Sequence, residues 1–104
     1  MITRKDYLSI DQKYFAVQSI TGYIAVLRSR NTGHFWAIHW QDANGHDSYW
    51  VEHKHHKKDL YHRQTGWYPK NFEMALQMIQ EHDQFHLKNR QKSRKNHAKE
   101  SGLL

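Results

Sequence analysis

The sequence contains no cysteine, a single proline and only five glycines among its 104 residues. Without cysteine the chain has no disulfide framework, thiolate zinc site or cysteine nucleophile, and this composition suits a reducing cytoplasm. The longest apolar run, residues 23–27, is far shorter than the roughly 20 residues of a membrane span. No apolar segment follows Arg4 and Lys5 to make a secretory signal. We therefore expect a cytoplasmic protein with no membrane partner, and no catalytic motif stands out.

The positive charge is concentrated in two segments. The formal net charge is +6, yet residues 1–52 carry five charges of each sign. The segment 53–63 has four cations and one carboxylate, and the segment 87–104 has six cations and one carboxylate. Such clusters bind polyanions, nucleic acids in particular, although a basic C-terminus can also serve only as a solubilising tail. The cations expected to contact phosphates are Lys54, Lys57, Lys58, Arg63, Lys88, Arg90, Lys92, Arg94 and Lys95.

Alternating residues and turn signals predict an antiparallel meander in the first half of the chain. The segments rich in β-branched and aromatic residues are 14–20, 23–30, 34–40 and 47–53, and each turn between them contains glycine. The polar segment 54–66 is predicted to be a loop that encloses a short edge strand near Tyr61. Before the first strand, Thr3 and Asp6 are compatible with a short capped helix, and an extended lead-in is an equal alternative.

A wide apolar stripe at helical spacing predicts one long helix after Asn71, a favourable N-cap. The stripe comprises Phe72, Ala75, Leu76 and Ile79, with Met78 and Phe85 alongside. The predicted fold is therefore α+β, an antiparallel β-meander of three to four strands packed against one long C-terminal helix. All 14 aromatic residues lie before residue 87, so residues 1–87 are expected to form a single domain. Residues 88–104 are expected to be a basic tail in which a frayed helical extension passes into disorder.

The two faces of the third predicted strand are both partly aromatic. Trp36 and Trp40 share one face with Ile38, while Phe35 and His39 lie on the other. One helix covers only one face of a sheet. The other face is therefore left for a ligand, a protein partner or a second copy of the chain.

The segment that follows the fourth predicted strand is rich in histidine. Imidazoles two residues apart on a strand, with one more from a loop, can hold zinc or nickel. Lysines interleave these histidines and raise the cost of binding a dication, so we expect no metal cofactor. A nuclease would use one histidine as general base, Arg63 as phosphate clamp and Glu52 or Asp59 as metal ligand. The candidate metal ligands are His53, His55, His56 and His62.

Basic, glycine and aromatic residues follow one another in a distinctive order from Arg28 onward. They are Arg28, Arg30, Gly33, Trp36, Ala37, Ile38, Gly45, Trp67 and Ala75. This order resembles the DNA-binding domains of the plant AP2 factors and the arm-binding domains of phage integrases, in which three strands pack on one helix. In those families the sheet enters the major groove, so the resemblance implies that Arg28, Arg30 and Trp36 contact DNA. The segment 54–66 has no counterpart there.

Three functions follow from these patterns, in order of preference. The first is a small non-catalytic nucleic-acid-binding protein, whose tail and loop contact phosphates and whose sheet contacts bases or grooves. The second is a protein-interaction or homodimerisation module that uses an exposed aromatic sheet face. The third is a metal-dependent nuclease built on the histidine-rich loop.

Overall fold

The computed structural model describes the backbone of residues 1–101 and the side chains of residues 1–90. Five antiparallel strands form one sheet in the order β1-β2-β3-β4-β5. The α+β meander is confirmed, with a short fifth strand at the position expected near Tyr61. The elements are α1 (Arg4–Leu8), β1 (Phe15–Ile20), β2 (Ile24–Ser29), β3 (Phe35–Ala43), β4 (His46–Lys54), β5 (His62–Arg63) and α2 (Phe72–Ser101).

One tight turn fixes the register of the two longest strands, β3 and β4. Asn44 and Gly45 both have positive φ, 55° and 83°, the conformation of a two-residue hairpin turn whose twist matches the strands it joins. The Asp42 carboxylate accepts a hydrogen bond of 2.8 Å from the Gly45 amide. The pairing therefore runs to the end of both strands, up to Ala43 opposite His46. This is why β3 and β4 extend beyond their predicted limits.

The N-terminal segment adopts the helical alternative. The Thr3 hydroxyl accepts from the Asp6 amide and the Asp6 carboxylate accepts from the Thr3 amide, at 3.1 Å and 3.0 Å. These two bonds form a capping box. Ile2 and Ile10, on either side of the helix, are buried in the core.

Helix α2 covers one face of the sheet, here called the inner face. The Asn71 side chain caps the helix by accepting a 2.8 Å hydrogen bond from the Met74 amide. The predicted stripe is buried, with Phe72, Ala75 and Ile79 at 0% exposure. The prediction that Phe85 belongs to the buried stripe is wrong, because this side chain is 65% exposed. Six residues of α-helix rotate it about 120° away from Ile79.

The opposite face, here called the outer face, has no helix on it within the described part of the chain. Its residues are Val26 and Arg28 on β2, Phe35 and His39 on β3, and Trp50, Glu52 and Lys54 on β4. Most are half-buried by one another, because neighbouring strands place their side chains side by side.

The backbone of α2 stays helical through most of the predicted basic tail. The predicted disorder within the tail, residues 88–104, stays a prediction, because residues 102–104 lie outside the described residues, as do the side chains of 91–101. The division of the chain at residue 87 stays a prediction. Among the described residues, no helix combines the length and the apolar character needed to cross a membrane.

We expect Leu76→Ala or Ile79→Ala to lower the free energy of unfolding by roughly 2–4 kcal/mol, because each truncation leaves a cavity beneath α2. Leu76 is 6% exposed and Ile79 is 0% exposed. The matched control is Gln77→Ala, at an exposed position of the same helix, which should be nearly neutral. Urea unfolding followed by circular dichroism measures the difference. Equal losses at all three positions would contradict the packing of α2.

Candidate nucleic-acid interface and histidine cluster

Three side chains lie next to one another across the outer face. The register places Arg28 of β2 opposite Phe35 of β3, and Phe35 opposite Lys54 of β4. The Arg28 guanidinium carbon and the Lys54 ammonium nitrogen each lie 5.5 Å from the centre of the Phe35 ring. A cation at this distance from an aromatic face is attracted to the ring and held there without losing its charge.

Two further cation–aromatic contacts extend this surface to the sheet edge. The Lys54 ammonium also lies 4.4 Å from the centre of the Tyr61 ring. The Arg63 guanidinium lies 5.6 Å from the centre of the Trp50 ring, whose other neighbour is the stacked ring of His39 at 4.8 Å. We call Arg28, Phe35, Trp50, Lys54, Tyr61 and Arg63 the cation–aromatic surface.

The cations of this surface are not neutralised by carboxylates. Within residues 1–90, no lysine or arginine forms an ion pair with an acidic side chain. Glu52 faces Arg63 across the β4–β5 pair, yet its carboxylate bonds to the His39 imidazole. The Lys54 ammonium donates a 2.8 Å hydrogen bond to the Lys57 carbonyl, which leaves its charge intact.

On the other side of the sheet, five histidines gather between β4 and α2. We call His34, His53, His55, His82 and His86 the histidine cluster. His34 precedes β3, His53 ends the buried part of β4, and His55 follows β4. His82 and His86 are one turn apart on α2. The strand register and the helix period bring these five residues together, although they are far apart in sequence.

Three of these histidines form the centre of the cluster. His34 Nδ1 and His53 Nε2 are 3.0 Å apart, and the His34 and His55 rings stack at 4.0 Å between centres. One ring nitrogen from each of the three lies within 4.8 Å of the others. His34 and His53 are 4% and 6% exposed, whereas His55 is exposed.

Aromatic rings enclose the inner end of the cluster. His53 stacks on Trp36 at 3.9 Å between centres, and Trp36 stacks on Trp67 at 5.7 Å. His82 meets the Trp36 ring edge-on at 5.4 Å. The Trp36 Nε1 and His82 Nδ1 atoms are buried and have no hydrogen-bond partner.

Burial lowers the pKa of three histidines of the cluster, His34, His53 and His82. Desolvation is the main cause for His34, whose pKa falls to about 4, and the neighbouring imidazoles and Arg90 lower it further. Desolvation lowers the pKa of His53 to about 3, with His34 as the next cause. The pKa of His82 is also lowered by burial, against the attraction of Asp83. The buried imidazoles are therefore neutral near pH 7 and keep their lone pairs.

The buried Asp83 carboxylate ties α2 to the turn that precedes His34. It accepts hydrogen bonds from the Tyr14 hydroxyl at 2.6 Å, the Ser29 hydroxyl at 2.5 Å and the Thr32 hydroxyl at 3.3 Å. Burial and the bond to Asp83 raise the pKa of Tyr14. Because Ser29 and Thr32 flank the β2–β3 turn, this network sets the position of His34 relative to α2.

A cavity of about 810 Å³ opens beside the cluster. His34, His55, His56 and His86 form its histidine wall, and Arg28, Lys57 and Arg90 bring positive charge to its lining. Arg90 also lies 3.2 Å from His86 Nε2. The cavity joins the edge of the outer face to the C-terminal part of α2, so the cations of the two regions form one basic end of the molecule.

No protein-family model, no curated protein and no solved structure matches this chain. The site therefore has to be interpreted from its own geometry. The resemblance to the AP2 and integrase domains stays a prediction.

The structure distributes the cations expected at the interface over several parts of the molecule. Arg28, Lys54 and Arg63 share the outer face, and Lys57 and Arg90 line the cavity. Arg30 and Lys58 are exposed elsewhere, and the Arg30 guanidinium donates to the Gln12 carbonyl at 3.0 Å. Lys88 is exposed on α2. The side chains of Lys92, Arg94 and Lys95 lie outside the described residues.

Trp36, which the resemblance places at the DNA interface, lies on the inner face instead. Its side chain is 0% exposed on the inner face, between His53 and Trp67, so it has no surface to offer a nucleic acid. Phe35 and Trp50 occupy the outer face instead. Strand alternation separates Phe35 from Trp36 but does not say which face the helix covers.

The histidine candidates divide in the same way. His53 and His55 join the cluster, while His56 and His62 are exposed and line a second, smaller cavity with Asp59. Neither proposed carboxylate ligand belongs to the cluster. The Glu52 carboxylate bonds to His39 on the outer face, and the Asp59 carboxylate accepts from the His56 amide.

Sequence reasoning missed His34, His82 and His86 as members of one cluster. For His82 and His86 on α2, the sequence does contain a signal of burial. The buried stripe of the helix continues at helical spacing from Ile79 to His82, Asp83 and His86. Polar residues that continue a buried stripe face the same interior as the apolar ones.

Proposed function

We propose that this protein binds nucleic acid through the cation–aromatic surface and the basic end of the molecule, and that it does so in the cytoplasm without catalysing a reaction. The main support for this proposal is the arrangement of side chains on the outer face. It is a sheet face without a helix in the described residues, where Arg28, Lys54 and Arg63 each lie over an aromatic ring. Ring contacts orient these cations at little cost in side-chain entropy when they meet phosphates.

The arrangement suits a polyanion better than an isolated anion. The cations are spread over three strands and continue around the cavity to Lys57 and Arg90, so they present several separate contacts along a backbone. The sequence continues this charge beyond Arg90 with Lys92, Arg94, Lys95 and Lys99. A β-sheet or β-ribbon can enter the major groove of duplex DNA, which is also the mode that the resemblance to AP2 and integrase domains implies.

The other functions receive less support from the geometry. A homodimer through the outer face would bring the uncompensated cations of two copies together, at a Coulomb cost. A nuclease built on the histidine-rich loop would need Glu52 or Asp59 as a metal ligand, and both carboxylates already make other contacts.

We expect Arg28→Gln combined with Arg63→Gln to weaken binding of a short duplex DNA about tenfold or more at constant salt. The double variant should also make the slope of log affinity against log salt concentration shallower by about 2, because each phosphate contact releases roughly one counterion. Fluorescence anisotropy of a labelled duplex measures both quantities. Glutamine is shorter than arginine but keeps an aliphatic stem and a polar end, and both positions are exposed, so the fold should be retained.

The matched control is Lys13→Gln combined with Lys70→Gln, which removes the same charge from two exposed positions outside the cation–aromatic surface. This control should lose much less affinity. Equal losses in the two double variants would show that net charge alone binds the DNA, and would contradict the assignment of the outer face.

A further inference from the structure

We propose that His34, His53 and His55 bind one divalent transition-metal ion of the zinc class, a site distinct from the cation–aromatic surface. Three ring nitrogens lie within 4.8 Å of one another. They come from the turn before β3, from β4 and from the segment that follows β4, so the sheet itself sets the backbone spacing of the ligands.

The spacing of one nitrogen pair is close to that of two ligands in a tetrahedral site. At zinc–nitrogen distances of about 2.0–2.1 Å, two tetrahedral ligands lie roughly 3.3–3.4 Å apart. His34 Nδ1 and His53 Nε2 are 3.0 Å apart, so an ion that replaces the shared proton needs only a small outward movement of the two rings. His55 stacks on His34 and is exposed, so its ring can turn without disturbing the core.

The donor set selects the class of metal. Neutral imidazoles bind Zn²⁺, Ni²⁺ and Cu²⁺, whereas Mg²⁺ and Ca²⁺ prefer oxygen ligands. No carboxylate belongs to the three-histidine group. The two buried members sit against Trp36, and the aromatic rings make this end of the site dry. A set of nitrogen donors favours a borderline metal over a hard cation.

Two of the three interleaving lysines lie away from the ligands. The Lys54 ammonium lies over the Phe35 and Tyr61 rings on the outer face, on the other side of the sheet from His53, and Lys58 is exposed. Lys57 and Arg90 line the cavity beside His34 and His55, so a metal ion would bind against the repulsion of these two cations. Strand alternation therefore removes part of the positive charge that the sequence pattern places at the site.

A fourth ligand is available from the cavity side. The His86 ring lies 4.6 Å from the His34 ring, edge-on, and the cavity beside His34 and His55 is wide enough for water or an anion. Three histidines with a fourth position open to solvent is the arrangement of exchangeable rather than purely structural zinc sites. The Asp83 bonds to Ser29 and Thr32 hold the His34 turn in place against α2.

The test uses the full-length chain without an affinity tag, stripped with EDTA and then titrated with ZnCl2 by calorimetry. We expect one zinc ion per chain, and a rise in melting temperature of roughly 10 °C when free zinc exceeds Kd a hundredfold. Addition of CoCl2 should give the intense visible absorption of a four-coordinate cobalt centre. His55→Gln should abolish the shift and the cobalt spectrum, and should still fold because the side chain is exposed.

The matched control is His56→Gln, at the adjacent exposed position outside the three-histidine group. This variant should keep both the shift and the cobalt spectrum. The proposal is overturned if zinc leaves the melting temperature unchanged, if His55→Gln still binds one ion, or if His56→Gln loses as much as His55→Gln. The last result would mean that the surface loop binds zinc unspecifically.

Discussion

Asp83→Ala should lower the free energy of unfolding by roughly 3–5 kcal/mol, the largest effect that we expect from a single substitution. The carboxylate is 0% exposed and accepts hydrogen bonds from Tyr14, Ser29 and Thr32. The Ser29 hydroxyl is buried, and those of Tyr14 and Thr32 are partly buried. A buried hydroxyl left without an acceptor costs about 1–3 kcal/mol and a partly buried one less, and alanine cannot replace any of the bonds. Chemical denaturation followed by circular dichroism gives the free energy directly.

Two further variants test whether the loss of stability comes from the hydrogen bonds of Asp83 or from any substitution in α2. Glu81→Ala removes an acidic side chain from an exposed position of the same helix, and should be nearly neutral. Tyr14→Phe removes one of the three donors and should cost about 1–1.5 kcal/mol. A loss below about 1 kcal/mol for Asp83→Ala would contradict the network as the connection between α2 and the β2–β3 turn.

Acidification should destabilise the protein by roughly 2–4 kcal/mol between pH 7 and pH 5 when EDTA keeps it free of metal. Burial lowers the pKa of His34 to about 4 and that of His53 to about 3, while both titrate near 6.5 in the unfolded chain. At pH 5 the unfolded state therefore binds protons that the folded state does not, and stability falls as the pH drops below about 6.5.

The groups that face these two histidines are His55, His82, His86 and Arg90, and all of them disfavour a further positive charge. Asp83 is the nearby acid. The measurement is the urea midpoint at half-unit steps of pH from 7.5 to 4.5. Replacement of the exposed His46 by glutamine should leave the profile unchanged. A midpoint that stays constant from pH 7 to pH 5 would contradict the burial of neutral imidazoles in the cluster.

The strands and the helix are readable from the sequence because their signals are local. The dipeptide Asn44-Gly45 indicates a hairpin, because the turn requires positive φ at both residues. The helical spacing of the apolar stripe from Phe72 to Ile79 indicates which side of α2 is buried. The alternation of Phe35 and Trp36 separates the two faces. Alternation alone does not show which face the helix covers, so it gives no reason to exclude Trp36 from the interface that the resemblance implies.

The histidine cluster is hidden because its contacts are not local. His34 and His53 become neighbours through the pairing of β3 with β4, whose register depends on the length of a turn. His86 joins them only because α2 packs across these strands in one particular orientation. The cation–aromatic contacts of the outer face depend on register in the same way.

Binding of nucleic acid by the unmodified full-length chain tests the central claim most directly. Labelled duplex DNA, single-stranded DNA and RNA of equal length would each be titrated by fluorescence anisotropy over a range of NaCl concentrations. We expect at least one of them to bind at low ionic strength, with a slope of log affinity against log salt of about −4 or steeper, since Arg28, Lys54 and Arg63 act together with the cations of the C-terminal segment. A protein that binds none of the three nucleic acids at low ionic strength would contradict the proposed function.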